Sequence, residues 1–135
     1  GEEFEAAGID IRYLNASGYL EMLAAFPGLV GEIRDFRPHV VQGWMYHGNI
    51  AASAGCLFAK SPVAVMWNIR HSLEDLKKEK RLTAAVIRAG SFLSSRADRV
   101  VYNALSSARK HQAAGYSRGN AVTIPNGFDT ERFRP

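Results

Sequence analysis

The sequence predicts an α/β protein built on a mostly parallel sheet with helices on both faces. Short apolar runs rich in β-formers alternate along the chain with amphipathic stretches of helical period. The connections between those runs are long enough for crossovers, which parallel neighbours require. A hydrophobic content of 47% over 135 residues supports one packed core in one domain.

Taken in order, segment 9–14 alternates apolar and polar residues and reads as a strand. Segment 19–36 places Leu20, Leu23, Ala24, Val30, Ile33 and Phe36 mostly at helical spacing, with Pro27-Gly28 expected to break or kink it. Segment 40–45 is a second strand, and 49–58 a helix of small residues suited to lie close against a sheet. Pro62 opens a third strand, 63–67. Ser72 followed by Asp75 has the form of a capping box and predicts a long helix to about Leu93, ended by Ser94-Ser95. A short strand at 99–102, a helix at 104–114 closed by Gly115 and a strand at 121–124 stopped by Pro125-Asn126-Gly127 complete the series.

The totals exclude several classes. No apolar run approaches the ~18 uncharged residues of a membrane span, and Glu2, Glu3 and Glu5 stand where a secretory signal would be basic. The expectation is therefore a cytoplasmic protein. The single cysteine, Cys56, rules out an internal disulfide and a multi-cysteine metal site, and its small-residue surroundings predict a buried thiol on a helix face. Charge is uneven: residues 1–59 carry 3 Lys/Arg against 7 Asp/Glu, residues 60–118 carry 12 against 4. That basic half favours an anionic ligand or surface, or is a solvated face without a partner. No nucleic-acid-binding motif accompanies it, so nucleic acid is not an expected partner.

Parallel sheets bind ligands beyond the carboxyl ends of their strands, so the residues following each strand are the candidates. After the second strand, His47 and Asn49 offer donors and acceptors for sugar hydroxyls beside the aromatic surface of Trp44 and Tyr46. The plainer reading makes Asn49 a helix N-cap and His47 a loop residue. After the third strand come Trp67, Asn68, Arg70 and His71. Arg70 suits a phosphate at a helix start and His71 a proton transfer near neutral pH. Alternatively Ser72 is a cap, Arg70 is solvated and Trp67 lies in the core. The run Lys77-Lys78-Glu79-Lys80-Arg81 is either a solvated helix face, supported by Glu74–Lys78, or a contact with an anionic membrane surface.

The last segment, Val122-Thr123-Ile124-Pro125-Asn126-Gly127-Phe128-Asp129-Thr130-Glu131-Arg132-Phe133-Arg134-Pro135, closely resembles the IPNG-x-D-x-x-x-F segment of the family-four retaining GT-B glycosyltransferases. Ala97-Asp98-Arg99-Val100-Val101-Tyr102-Asn103 resembles that family's AD-x-v-i strand. Arg37-Pro38-His39-Val40-Val41 resembles its RPDVVH strand, and Pro62-Val63-Ala64-Val65-Met66-Trp67-Asn68 its P-V-V-x-T-x-H strand. The His common at the end of that last strand falls on Asn68 here, with His71 three residues later. Gln42 and Trp44 also stand where His is frequent.

The resemblance implies that residues 1–124 are a partial N-terminal, acceptor-side domain, the Rossmann-like half of a GT-B fold with its first strands missing. Residues 125–135 would begin the interdomain linker, with Asn126, Gly127 and Asp129 at the hinge. It implies a parent enzyme moving a hexose from a nucleotide-diphosphate sugar to a saccharide or lipid-linked acceptor with retention, without cofactor or metal. His47, Asn49, Trp67, Asn68, Arg70 and His71 would line the acceptor side, with His71 the candidate proton carrier. The donor domain is expected to follow Pro135, so this chain alone is expected to be inactive. The protein is expected in the cytoplasm, at the inner membrane surface where the acceptor is lipid-linked. A sheet lacking its first strand would expose an edge, so marginal stability or association is expected. The alternative is a non-catalytic α/β module that holds a sugar or an anion on the same face.

Overall fold

The computed structural model describes residue 4 and residues 6–16 and 18–127. Among them, helix α1 (Tyr19–Phe36) is followed by β1 (Val40–Trp44), α2 (Met45–Ala59), β2 (Ala64–Ile69), α3 (Arg81–Leu93), β3 (Arg99–Tyr102), α4 (Leu105–Ala113) and β4 (Ala121–Thr123). The four strands form one parallel sheet in the order β1-β2-β3-β4. This is the α/β class and the parallel sheet that the alternation of segments predicts.

The order of the strands refines the layering. A right-handed crossover always steps to the same side, so three sequential steps carry α2, α3 and α4 to one face. The core agrees. Trp67, Ile69, Val100 and Tyr102 are buried together with Ile87 of α3, Ala108 of α4 and Tyr116. Val30 and Ile33 of α1 meet Cys56 and Ala59 of α2 over Val41 and Val65. The alternate residues of β1, Val40, Gln42 and Trp44, face the other way and are exposed. Cys56 is buried on the helix face as expected, and burial raises its thiol pKa.

Four local expectations are corrected. Segment 9–14 is irregular, and its alternation is not matched by a paired strand; a half-apolar pattern becomes a strand only where a ladder partner is available. Pro27 does not end α1, which runs unbroken through it, since a lost backbone bond near a helix's solvent side is outweighed by the packing of Phe26, Leu29, Val30 and Ile33. Helix α2 begins at Met45, four residues early, because β1 turns straight into it with Met45 at φ 60°. The helix expected from Ser72 begins only at Arg81. Asp75 instead accepts from the Lys77 N–H (2.8 Å) and caps a single 3₁₀ turn at Leu76–Lys78. An α-helix through this run would set Lys77 against Lys80 and Arg81 at i+3 and i+4. Buried Leu73 anchors the loop to the core, and the Glu74–Lys78 pair (3.6 Å) is so exposed that it adds little.

The lower end of the sheet is tied by polar groups. Asp98 Oδ2 accepts from the Val65 N–H (2.7 Å), and Asn120 Nδ2 donates to the carbonyls of Ser94 (2.8 Å) and Ala97 (2.6 Å). Above them Gly90 of α3 gives room to Tyr116, whose hydroxyl would lie 2.4 Å from a Cβ there. Gly90→Ala is therefore expected to destabilise the chain by about 1–3 kcal/mol through overpacking. Tyr116→Phe in the same chain should restore part of that loss, since only the ring carbon at 3.2 Å would remain close. Urea midpoints of the single and double variants measure the coupling. No helix of the described residues is long and apolar enough to cross a membrane.

Candidate functional site

The carboxyl ends of β1, β2 and β4 bring together residues far apart in sequence. Arg70, just past β2, is the centre. Its Nε donates to Asn68 Oδ1 (3.1 Å), and its Nη1 donates to Asn126 Oδ1 beyond β4. Its guanidinium carbon stands 5.0 Å from the centre of the Trp44 ring at the end of β1. Arg70, Trp44, Asn126 and Gly127 are exposed. Asn68 is buried, and its backbone N–H donates to Asn49 Oδ1 (3.2 Å).

The sharp β1–α2 turn sets this geometry. Gly43 lets the backbone of Asn49 come within reach of the strand, and Asn49 is then 1% exposed. It is neither an N-cap nor a surface ligand. It is a strut that fixes the end of β2 from inside, with Nδ2 unpartnered. Trp67 is likewise corrected: it is 1% exposed, its Nε1 donates to Ser53 Oγ (2.8 Å), and it packs edge-on to Tyr116. Its position in β2 points it under the helices, so it belongs to the core and lines no open surface.

His71 lies beside Arg70 but faces differently. Its Nε2 is 3.0 Å from Glu79 Oε1, and its ring stands edge-on to Tyr46. The His71 carbonyl accepts from Ser107 Oγ (2.7 Å), which ties the post-β2 loop to α4. Behind it lies a residue that the sequence reading did not select. His111 is fully buried, with Nδ1 2.8 Å from the Ser107 carbonyl and Nε2 2.8 Å from the Tyr46 hydroxyl. A carbonyl only accepts, so Nδ1 carries the proton and Nε2 accepts from Tyr46. Desolvation lowers the His111 pKa, the bond to Ser107 acts the other way, and nearby His71 lowers it further. Burial raises the pKa of the Tyr46 hydroxyl, as it does those of Tyr102 and Tyr116. The sequence signal for His111 was its i,i+4 relation to Ser107, with Ala108, on the inward face of α4.

His47 stands apart. It lines a nearly wholly apolar groove of about 470 Å³ on the outer helix layer, with Leu23 and Phe26 of α1, Ala54 and Phe58 of α2 and Val86 of α3. Asn126 and Gly127, expected at a hinge, follow β4, and Asp129 lies outside the described residues. The structure thus gathers Asn68, Arg70 and Asn126, adds Trp44, supports them with Asn49, and separates His47 and Trp67.

The model of Glycosyltransferase Family 4 matches residues 2–132. No curated protein matches the chain. Among solved structures, HepE of Anabaena in complex with UDP and glucose is similar, with a TM-score of 0.72 at 16% identity. Its complexes with UDP and with UDP-glucose give 0.74 at 17% identity. In each case 96% of this chain is covered and 34% of the HepE chain, so the chain spans about a third of that neighbour's length. That likeness is one of fold, and the family match extends over nearly every residue from the first helix to the segment after β4. The chain belongs to Glycosyltransferase Family 4.

Proposed function

We propose that the chain is the acceptor-side part of a glycosyltransferase that moves a hexose from a nucleotide-diphosphate sugar to a saccharide or lipid-linked acceptor, with retention of configuration. The observation that carries this is Arg70, held by Asn68 and Asn126 across the carboxyl ends of two strands, where parallel sheets bind their ligands. The UDP, glucose and UDP-glucose in the HepE complexes support a nucleotide-sugar donor. In this reading the rest of the parent supplies the donor domain, and this chain alone does not catalyse transfer. Asn126 and Gly127, with Asp129, form the hinge between the two. Asn68 and Arg70 hold the acceptor, and Asn49 acts beneath them as a positioning residue. His71, oriented by Glu79, is the proton carrier, and no metal or cofactor takes part. Lys77, Lys78, Lys80 and Arg81, all exposed, give a cytoplasmic enzyme a contact with an anionic inner membrane surface carrying a lipid-linked acceptor.

In the full-length parent, Arg70→Ala is expected to raise the KM for acceptor about 10- to 100-fold while the KM for donor changes less than about twofold. Steady-state kinetics with each substrate varied in turn measure it. Unchanged acceptor kinetics would remove Arg70 from the site, and absence of transfer altogether would leave a binding module in place of an enzyme.

A further inference from the structure

Every described partner of Arg70 is neutral. Two side-chain amides take its Nε and Nη1 donors, and an indole ring lies against it. Among the described residues no carboxylate lies within ion-pair distance. A guanidinium has five N–H donors, so three remain, all on Nη1 and Nη2. The amides hold the side chain in place without cancelling its charge, so little side-chain freedom is left to be lost when an anion arrives. Trp44 is 56% exposed and projects from the sheet face away from the helices. Part of an aromatic surface therefore lies open beside a fixed, uncompensated cation.

We propose that Arg70 and Trp44 form a subsite for a phosphorylated sugar, with the phosphate on the free N–H groups of Arg70 and the C–H face of the pyranose against Trp44. The subsite deepens the reading of this end of the sheet as the acceptor side, and rests on it. A neutral sugar would use the indole and leave the cation unmatched, whereas inorganic phosphate would do the reverse. A nucleotide diphosphate could bring a phosphate from the donor instead, so it belongs among the probes.

The test is calorimetric titration of the 135-residue chain with glucose 1-phosphate, glucose, inorganic phosphate and UDP. Glucose 1-phosphate is expected to bind at least about tenfold tighter than glucose or inorganic phosphate. Arg70→Gln should remove that advantage. Trp44→Ala should weaken glucose 1-phosphate about tenfold and leave inorganic phosphate unchanged, with Trp44→Phe recovering most of the loss. Both side chains are exposed, so the variants should keep the melting midpoint of the unaltered chain. Equal affinities for glucose and glucose 1-phosphate, or affinities insensitive to both substitutions, would overturn the subsite. So would UDP binding more tightly than glucose 1-phosphate with the same dependence on Arg70 and Trp44. The subsite stands or falls on these affinities, and the reading of the acceptor side on the acceptor KM of the parent carrying Arg70→Ala, so the two failures are distinguishable.

Discussion

Gly43→Ala is expected to cost the chain about 3 kcal/mol or more, a large share of the ~5–15 kcal/mol that holds an ordinary domain together. A Cβ at this position would stand 2.5 Å from the Cα of Asn49, 2.7 Å from the Gly48 carbonyl oxygen and 2.8 Å from the Asn49 nitrogen. All three are backbone atoms in the first turns of α2, and none can move aside as the tip of a flexible side chain could. The strand and helix would have to part, and the connection between them has no slack, because Trp44 ends β1 and Met45 begins α2. Parting them would also pull Asn49 Oδ1 from the Asn68 N–H and loosen the end of β2, where Arg70 is seated. The thermal midpoint should fall by on the order of 10 °C. Gly48→Ala is the internal control. It lies on the same helix with nothing within 4 Å of its Cβ, and alanine there should be neutral or gain up to about 1 kcal/mol of helix propensity. If Gly43→Ala and Gly48→Ala melted together, the close approach of β1 to α2 would be wrong.

The fold was legible because its signals were strong and local. Val63, Val65, Val100 and Val101 lie in apolar runs bounded by Pro62, Asp98 and Asn103, and a buried parallel strand has few other sequences open to it. The helix starts were less legible. Met45-Tyr46-His47-Gly48 contains no capping side chain, so pattern alone moved the start of α2 to Asn49, while a turn with no intervening loop had already begun the helix. Ser72 and Asp75 have the residue types of a capping box, but like-charge crowding in the run after them and the burial of Leu73 favour a loop. The site was half legible. Attention to residues beyond the strand ends found Arg70 and Asn68, and the family resemblance supplied Asn126. That Arg70 and Asn126, 56 positions apart, touch is a property of the sheet order and of no spacing in the chain. The same attention selected Trp67 and Asn49 and could not tell outward from inward, because a strand's two faces differ by one residue of register. Trp44 and Trp67 show the difference: Gly43 is the register partner of Trp67, so Trp44, the next residue of β1, points to the opposite face. The family resemblance drew attention to the segment after β4, where the structure places Asn126 against Arg70.

His111→Phe should be the second large loss, and its signature lies in pH. The native imidazole is neutral, donates from Nδ1 to the Ser107 carbonyl and accepts from Tyr46 at Nε2, with no exposure to solvent. Phenylalanine keeps the ring and removes both bonds; the Ser107 carbonyl retains its helical backbone partner, but the buried Tyr46 hydroxyl is left unsatisfied at about 1–3 kcal/mol. The pH dependence follows from the lowered pKa, whose first cause is burial. Because the folded pKa lies below the unfolded value of 6.5, the unfolded chain takes up the proton first, and stability falls as pH drops. The contribution is therefore complete above about pH 6.5 and is lost progressively below it, toward the native pKa. Protonation also replaces the acceptor at Nε2 by a second donor, which Tyr46 can answer only by turning its hydroxyl hydrogen away. The groups packed around the ring are Tyr46, Tyr102 and Tyr116, neutral across this range, and His71, whose own charging would oppose that of His111. Melting midpoints between pH 8 and pH 5 should thus decline in the unaltered chain more steeply than in His111→Phe, whose curve starts lower and runs flatter. Parallel curves would assign the acid sensitivity to other groups and would leave His111 as packing alone. A steeper decline in the unaltered chain would assign that acid sensitivity to His111, which sits on Ser107, the residue tying the loop of Arg70 and His71 to α4.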